Sequence, residues 1–96
     1  MRTRRVDKNQ VEIVQVLRQM GASVLHTHEL GRGAPDIAVG YRKRTYFVEI
    51  KDGAQPPSRQ VLTPDEQQWH DDWRGHVTII RSVAEAVQFM HMLASD

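Results

Sequence analysis

Glu49 and Lys51 stand two residues apart in Tyr46-Phe47-Val48-Glu49-Ile50-Lys51, an otherwise apolar run. On a strand, side chains two apart share a face, so a carboxylate and an ammonium are set side by side. Phe47, Glu49 and Lys51 form one face, and Val48 and Ile50 the other. Burying an unpartnered carboxylate is strongly unfavourable. Lys51, water or a metal ion could hold Glu49 there, whereas an exposed pair on an edge strand would need none of them. Asp36 narrows the choice. It follows Pro35 and precedes Glu49 by thirteen positions, the span of two short antiparallel strands and a tight turn. A hairpin of that kind brings Asp36 to the same sheet end as Glu49 and Lys51. Two converging carboxylates make a hard-oxygen site suited to Mg²⁺ or Mn²⁺. A neighbouring lysine can orient or deprotonate a water, or stabilise charge developing on a phosphate. Together these groups fit metal-assisted hydrolysis of a phosphodiester.

The elements that must position them follow from spacing and punctuation. Asp7 caps a helix starting near Lys8, with Val11, Ile13, Val14, Leu17 and Met20 apolar and Gly21 as its stop. Ser23 to His28 reads as a strand, and Gly31-Arg32-Gly33-Ala34-Pro35 as a loop. Asp36 to Val39 is a second strand, Gly40 to Arg44 a hairpin turn, and Thr45 to Lys51 the third strand. Asp52 to Leu62, with Pro56-Pro57, is a loop. Thr63-Pro64-Asp65-Glu66 opens a helix with a capping box, and Gly75 ends it. Val77 to Ile80 is a short buried strand, and Ser82 and Glu85 form a second capping box for a last helix. The order α-β-β-β-α-β-α predicts one α/β domain over residues 1–96, its central mixed sheet flanked by helices, with a basic tail at 1–7.

Composition limits the alternatives. Of the 96 residues, 40% are apolar and 26% charged, as in ordinary globular chains. The absence of cysteine excludes disulfides and thiolate metal sites and is compatible with a reducing cytoplasm. No apolar run reaches the roughly 18 residues of a membrane helix, so no membrane partner is expected. The net charge of +1 is unremarkable, but Arg2, Arg4, Arg5 and Lys8 form one basic cluster and Arg42, Lys43 and Arg44 another. Such patches can meet phosphate, or be no more than solvated tail and turn charges.

Gly33-Ala34-Pro35-Asp36 followed by Val48-Glu49-Ile50-Lys51 resembles the PD-(D/E)xK nuclease signature. Lys51-Asp52-Gly53, Pro56-Pro57-Ser58, the Thr63-Pro64 helix start and the element order narrow the resemblance to the VRR-NUC (virus-type replication-repair nuclease) branch, of the small stand-alone phage or bacterial type. It covers about Lys8 to Leu93. The resemblance implies a restriction-endonuclease-like core, with Asp36, Glu49 and the Ile50 carbonyl as ligands of Mg²⁺ or Mn²⁺ and Lys51 as the catalytic lysine. It implies that Glu12, on the first helix, binds metal through water or holds Lys51. It matches Gln67 to a family glutamine, with Gln68 as the neighbouring choice. It implies an endonuclease that leaves a 5′-phosphate and a 3′-hydroxyl, with branched DNA as partner, in a bacterial or phage-infected cell.

The small size and apolar helices point to a homodimer, whose paired sites would suit a four-way (Holliday) junction. A non-catalytic DNA-binding module or a regulatory subunit retaining the fold is the alternative, and an RNA or nucleotide phosphodiesterase another. Arg32, Ser58, Arg59, Lys43 and Arg44 are candidate DNA contacts. His26 and His28 lie two apart, but lack further ligands at a zinc spacing. Trp69 and Trp73, at i and i+4, either stack on bases or, as their helical spacing favours, pack in a core or subunit interface.

Overall fold

The computed structural model describes residues 8–95. The predicted cap Asp7 and the basic residues Arg2, Arg4 and Arg5 lie outside them. Helix α1 (Lys8–Gln19) turns Ile13, Val14 and Leu17 inward and ends at Gly21, whose φ of 103° suits glycine. Gly21 N donates to Arg18 O and Ala22 N to Leu17 O, so a Schellman turn closes the helix. The strands are β1 (Ser23–His26), β2 (Ile37–Tyr41), β3 (Arg44–Ile50) and β4 (Val77–Ile80). They form one sheet in the order β1-β2-β3-β4, with β3 and β4 parallel and the other pairs antiparallel. A parallel neighbour needs a crossover, and α2 (Pro64–Asp72) provides it. Helix α3 (Val83–Ser95) closes the order α-β-β-β-α-β-α predicted from the sequence.

The sheet is covered differently on its two faces. Ile37, Val39, Tyr46, Val48, Ile50 and Ile80 join Ile13 and Leu17 of α1 and Met90 and Leu93 of α3 in one core. On the other face Phe47 meets Trp69 and Trp73 of α2 edge-on, at ring-centroid distances of 5.3 and 4.9 Å. The two indoles stack on each other at 4.9 Å. The two rings therefore pack on the sheet through Phe47 but stay outside the buried core, Trp69 half-buried and Trp73 42% exposed.

Several boundaries shift for local reasons. Strand β1 stops at His26, because its partner β2 begins at Ile37, directly opposite. Thr27 instead turns inward, donating from Oγ1 to Pro35 O and from N to Asp36 O, and His28–Leu30 forms one 3₁₀ turn. Asp36 and Lys51 accordingly flank their strands instead of lying in them. The hairpin turn shortens to Arg42-Lys43, with φ of 51° and 65°, while Gly40 pairs within the sheet. Positive φ at both central residues matches the right-handed twist of the strands, here without the usual Asn-Gly. Pro57–Arg59 adds a 3₁₀ turn to the predicted loop. Helix α2 ends at Asp72 because Trp73 becomes extended, which seats its indole on Phe47 and over Gly75.

The N-terminus of α2 is fixed twice. Its capping box is complete, with Thr63 Oγ1 accepting from Glu66 N and Thr63 N donating to Glu66 Oε1. Gly33 also lies directly under its first turn. A Cβ there would fall inside contact distance of the Asp65 carbonyl and the Glu66 amide, and the φ of 82° already disfavours a side chain. Gly33→Ala should therefore destabilise the fold by about 1–3 kcal/mol, read as a lowered urea midpoint. At Gly31, where φ is 74° but a Cβ would meet nothing within 4 Å, the same change should cost less.

Candidate active site

Asp36 is held by its approach. The residues Gly31, Arg32 and Gly33 all have positive φ, and Ala34 N donates back to Gly31 O. Pro35 is fully buried, and Thr27 binds the carbonyls of both Pro35 and Asp36. The Asp36 side chain crosses to the end of β3, where Oδ2 accepts from Ile50 N at 2.7 Å. Strand alternation explains why that amide is open. Phe47 N donates to His76 O just before β4 and Lys51 N to Ile80 O within it, so Ile50 turns its backbone groups toward β2. The pairing with β2 ends at Val48 opposite Ile37, and a side chain takes the place of the next strand residue. The Ile50 carbonyl lies on that same side.

Glu49 is 3% exposed and sits opposite Ile79 of β4. Its Oε2 is 3.7 Å from Lys51 Nζ, and its Oε1 is buried without a hydrogen-bond partner. Burial, then the neighbouring Asp36 and Glu66 carboxylates, push its pKa up to about 9, with only partial relief from Lys51. Lys51 Nζ makes its short contact, 2.8 Å, with Glu66 Oε1. Burial works against the charged ammonium, but Glu66, Glu49 and Asp36 more than offset it and hold the lysine pKa above its ordinary value. Glu66 moves the other way: burial raises it, but Lys51 and the Thr63 amide bring it below the usual carboxylate range. With these partners Lys51 is a charged hydrogen-bond donor, suited to orienting a water or meeting phosphate charge and poorly suited to removing a proton.

Asp36, Glu49 and Lys51 are thus together, and the Ile50 carbonyl is beside them. Glu66 joins them, a residue whose sequence context assigns it only to the helix cap. One of its two oxygens, Oε1, accepts from both Thr63 N and Lys51 Nζ. The signal available was a glutamate at the third position of a helix packed on the Gly31–Pro35 loop, but the capping box accounted for it completely. Asn9 was also missed. Its side-chain amide donates to Lys51 O at 2.9 Å and to Arg81 O at 3.3 Å, binding the first turn of α1 to the end of β3.

Other candidates fall elsewhere. The Glu12 side chain is 48% exposed, lies 4.0 Å from Lys8 and lines a separate cavity with Asn9, Asp52 and Arg81. Gln67 and Gln68 are exposed and donate to Asp71 and Asp72 one turn along, so the α2 side chain that reaches Lys51 is Glu66. Arg32 lines a cavity of about 380 Å³ with Asp65, Gln68, Trp69, Asp72 and Trp73. Ser58 and Arg59 are exposed on the 3₁₀ turn after β3. Lys43 and Arg44 are exposed at the hairpin tip, the opposite end of β3 from Glu49. His26 and His28 meet edge-on at 6.5 Å, and no group of three or more His, Cys, Asp or Glu residues among the described residues could hold a metal.

A divalent cation would therefore depend on Asp36, Glu49, the Ile50 carbonyl and water. The donors fit a hard cation: the orphaned Glu49 Oε1 lacks a partner, and the proton retained by the crowded carboxylates is what a cation would replace.

The crowding has a measurable consequence in metal-free protein. A folded pKa of about 9, against an ordinary value of 4.5, means that the native state keeps a proton the unfolded chain has already released. Stability should fall as pH rises from 7 to 9. The shifts of Lys51, Glu66 and His70 carry those groups away from this window. In EDTA the Tm should drop by several degrees across it, about 1 kcal/mol corresponding to 4–8 °C in a domain of this size. Glu49→Gln should flatten the dependence.

No protein-family model and no curated protein matches the chain. Among solved structures, a chain described as a "VRR_NUC domain" aligns with a TM-score of 0.68 and 24% sequence identity, over 88% of this chain and 91% of that one. The alignment spans nearly the whole element order. Among the described residues, no helix is long and apolar enough to cross a membrane. From the α1 cover to the β3–α2–β4 crossover that carries Glu66 to Lys51, the chain has the fold of that VRR_NUC domain.

Proposed function

We propose that the protein is a metal-dependent endonuclease that cuts branched DNA, four-way junctions above all, as a homodimer. The observation that carries this reading is the meeting of Asp36 and a buried Glu49 with an unpartnered oxygen, next to the Lys51 ammonium. Asp36, Glu49 and the Ile50 carbonyl would hold Mg²⁺ or Mn²⁺. When bound, such an ion polarises a phosphate and lowers the pKa of an attacking water. Lys51 donates to that water or to a phosphate oxygen, and Glu66 fixes the ammonium in position and in its charged state. Asn9 anchors the backbone that carries Lys51.

The basic hairpin tip supports a duplex partner. Arg44 is five residues from Glu49 along β3, or about 17 Å at the usual strand rise. Arg44 projects on the α3 face of the sheet and Glu49 on the α2 face, so the tip would meet duplex around the end of the sheet, at a phosphate several base pairs from the one being cut. Arg32, Ser58 and Arg59 lie on loops flanking the carboxylates and are candidates for nearer phosphates.

A non-catalytic binding module would bind branched DNA without forming products. The test is cleavage of linear, flap and four-way-junction DNA in Mg²⁺, Mn²⁺ or EDTA. The native chain should nick the junction with either cation and be silent in EDTA. Asp36→Ala and Lys51→Ala should each lower the rate by about 10²–10⁴-fold. Glu66→Ala should cost about 1 kcal/mol of stability through the lost cap and lower kcat more than it raises KM. No products under any cation would end the catalytic reading, and equal cutting of every DNA would end the preference for junctions. Arg44→Ala should weaken junction binding and reduce the slope of log K against log salt by about 1, with the cut position unchanged.

A further inference from the structure

The two edges of the sheet are finished differently. At β1, Arg18 Nη2 donates to Val24 O at 3.1 Å, so a charged side chain guards that edge. At β4 the sequence is Val77-Thr78-Ile79-Ile80, without charge or proline. Phe47 N donates to His76 O and Lys51 N to Ile80 O. Even-numbered β4 residues therefore turn their backbone groups toward β3, and Val77 and Ile79 turn theirs outward. The next residue closes the row, because Arg81 N donates to Glu85 Oε1 and Arg81 O accepts from Gly53 N. Two N–H groups and two carbonyls remain, and among the described residues none has a hydrogen-bond partner.

We propose that this edge pairs antiparallel with the same edge of a second copy, about a two-fold axis at Thr78. Val77 then faces the partner's Ile79, and Ile79 the partner's Val77. This register satisfies all four outward groups, whereas centring the pair on Ile79 would oppose Val77 to an Arg81 amide already bonded to Glu85. The strand is thus its own complement, and it brings no like charges together at the axis. The α3 face beside Thr78 favours the same occupant: Tyr46, His76, Phe89, Leu93 and a 64% exposed Met92, together with Arg44, line a largely apolar cavity of about 380 Å³ there. A two-fold perpendicular to the sheet places both copies of this apolar surface on one side. It also fixes the relation between the sites. Glu49 lies opposite Ile79, so the two Glu49 residues fall on one face of a continuous eight-stranded sheet, their Cα atoms about 16 Å apart at usual strand spacing and rise. The interface rests on the dimeric reading above and gives it a geometry.

The chain has no cysteine, so Thr78→Cys introduces a single thiol. Thr78 faces its symmetry mate in a non-hydrogen-bonded pair, whose Cβ atoms lie about 4.5–5.5 Å apart and so within reach of a disulfide after small adjustment. Mild oxidation should cross-link most of this variant, while Thr45→Cys, exposed on β3, should stay uncross-linked. Ile79→Pro removes one outward N–H and none of the hydrogen bonds to β3. Light scattering after size exclusion should give the native chain twice its 11.1 kDa mass and Ile79→Pro a single mass, with far-UV circular dichroism unchanged. If Ile79→Pro does not fold, the Thr78→Cys cross-link decides alone. A native dimer without that cross-link overturns this interface and leaves the dimeric reading standing. A monomeric native chain at tens of micromolar overturns both.

Discussion

The burial of Glu49 beside Asp36 is the constraint around which the rest is arranged. Two carboxylates at the end of one hairpin repel, and one of them is removed from water. The fold tolerates this by local compensation. Asp36 takes a backbone amide that the sheet leaves open, Lys51 stands across from Glu49, and burial beside Asp36 pushes the Glu49 pKa up so that its neutral form is favoured. A site organised for stability alone would place an apolar residue at position 49 on so buried a strand. An ionisable side chain retained there has the character of a functional site, because perturbed carboxylates gather where chemistry needs them.

Glu66 connects that electrostatic arrangement to the scaffold. One of its oxygens completes the α2 cap and restrains Lys51 at the same time. Gly33 extends the linkage, since the first turn of α2 can lie against the loop before Asp36 only where no side chain intervenes. The Phe47, Trp69 and Trp73 rings then clamp the body of the helix to the middle of β3. The helix that makes the parallel β3–β4 crossover is thereby the same element that sets the position of Lys51. Topology and chemistry share one set of contacts, and disturbing the helix must disturb the lysine.

Much of this was legible in the sequence. Period-two patterning located β3, Pro64 and the Thr63–Glu66 box located α2, and thirteen positions between Asp36 and Glu49 foretold a hairpin. Those signals are local: each depends on neighbours within a few residues, or on the short reach of a tight turn. Boundaries were less accessible. The end of β1 was set by where its partner begins, and the end of α2 by where Trp73 finds Phe47.

The sequence by itself determined the element order and the residue types able to converge on phosphate chemistry, because strand alternation and helix capping are written in nearest neighbours. Only the tertiary structure decided that Glu66 reaches Lys51 while Gln67 and Gln68 bond along their own helix, that Glu12 stands 4.0 Å from Lys8, and that burial and crowding push the Glu49 pKa up. Each of those outcomes depends on the direction of a side chain and on the charge and water around it. Those are set by the packing of elements distant in the chain, and no local pattern encodes them.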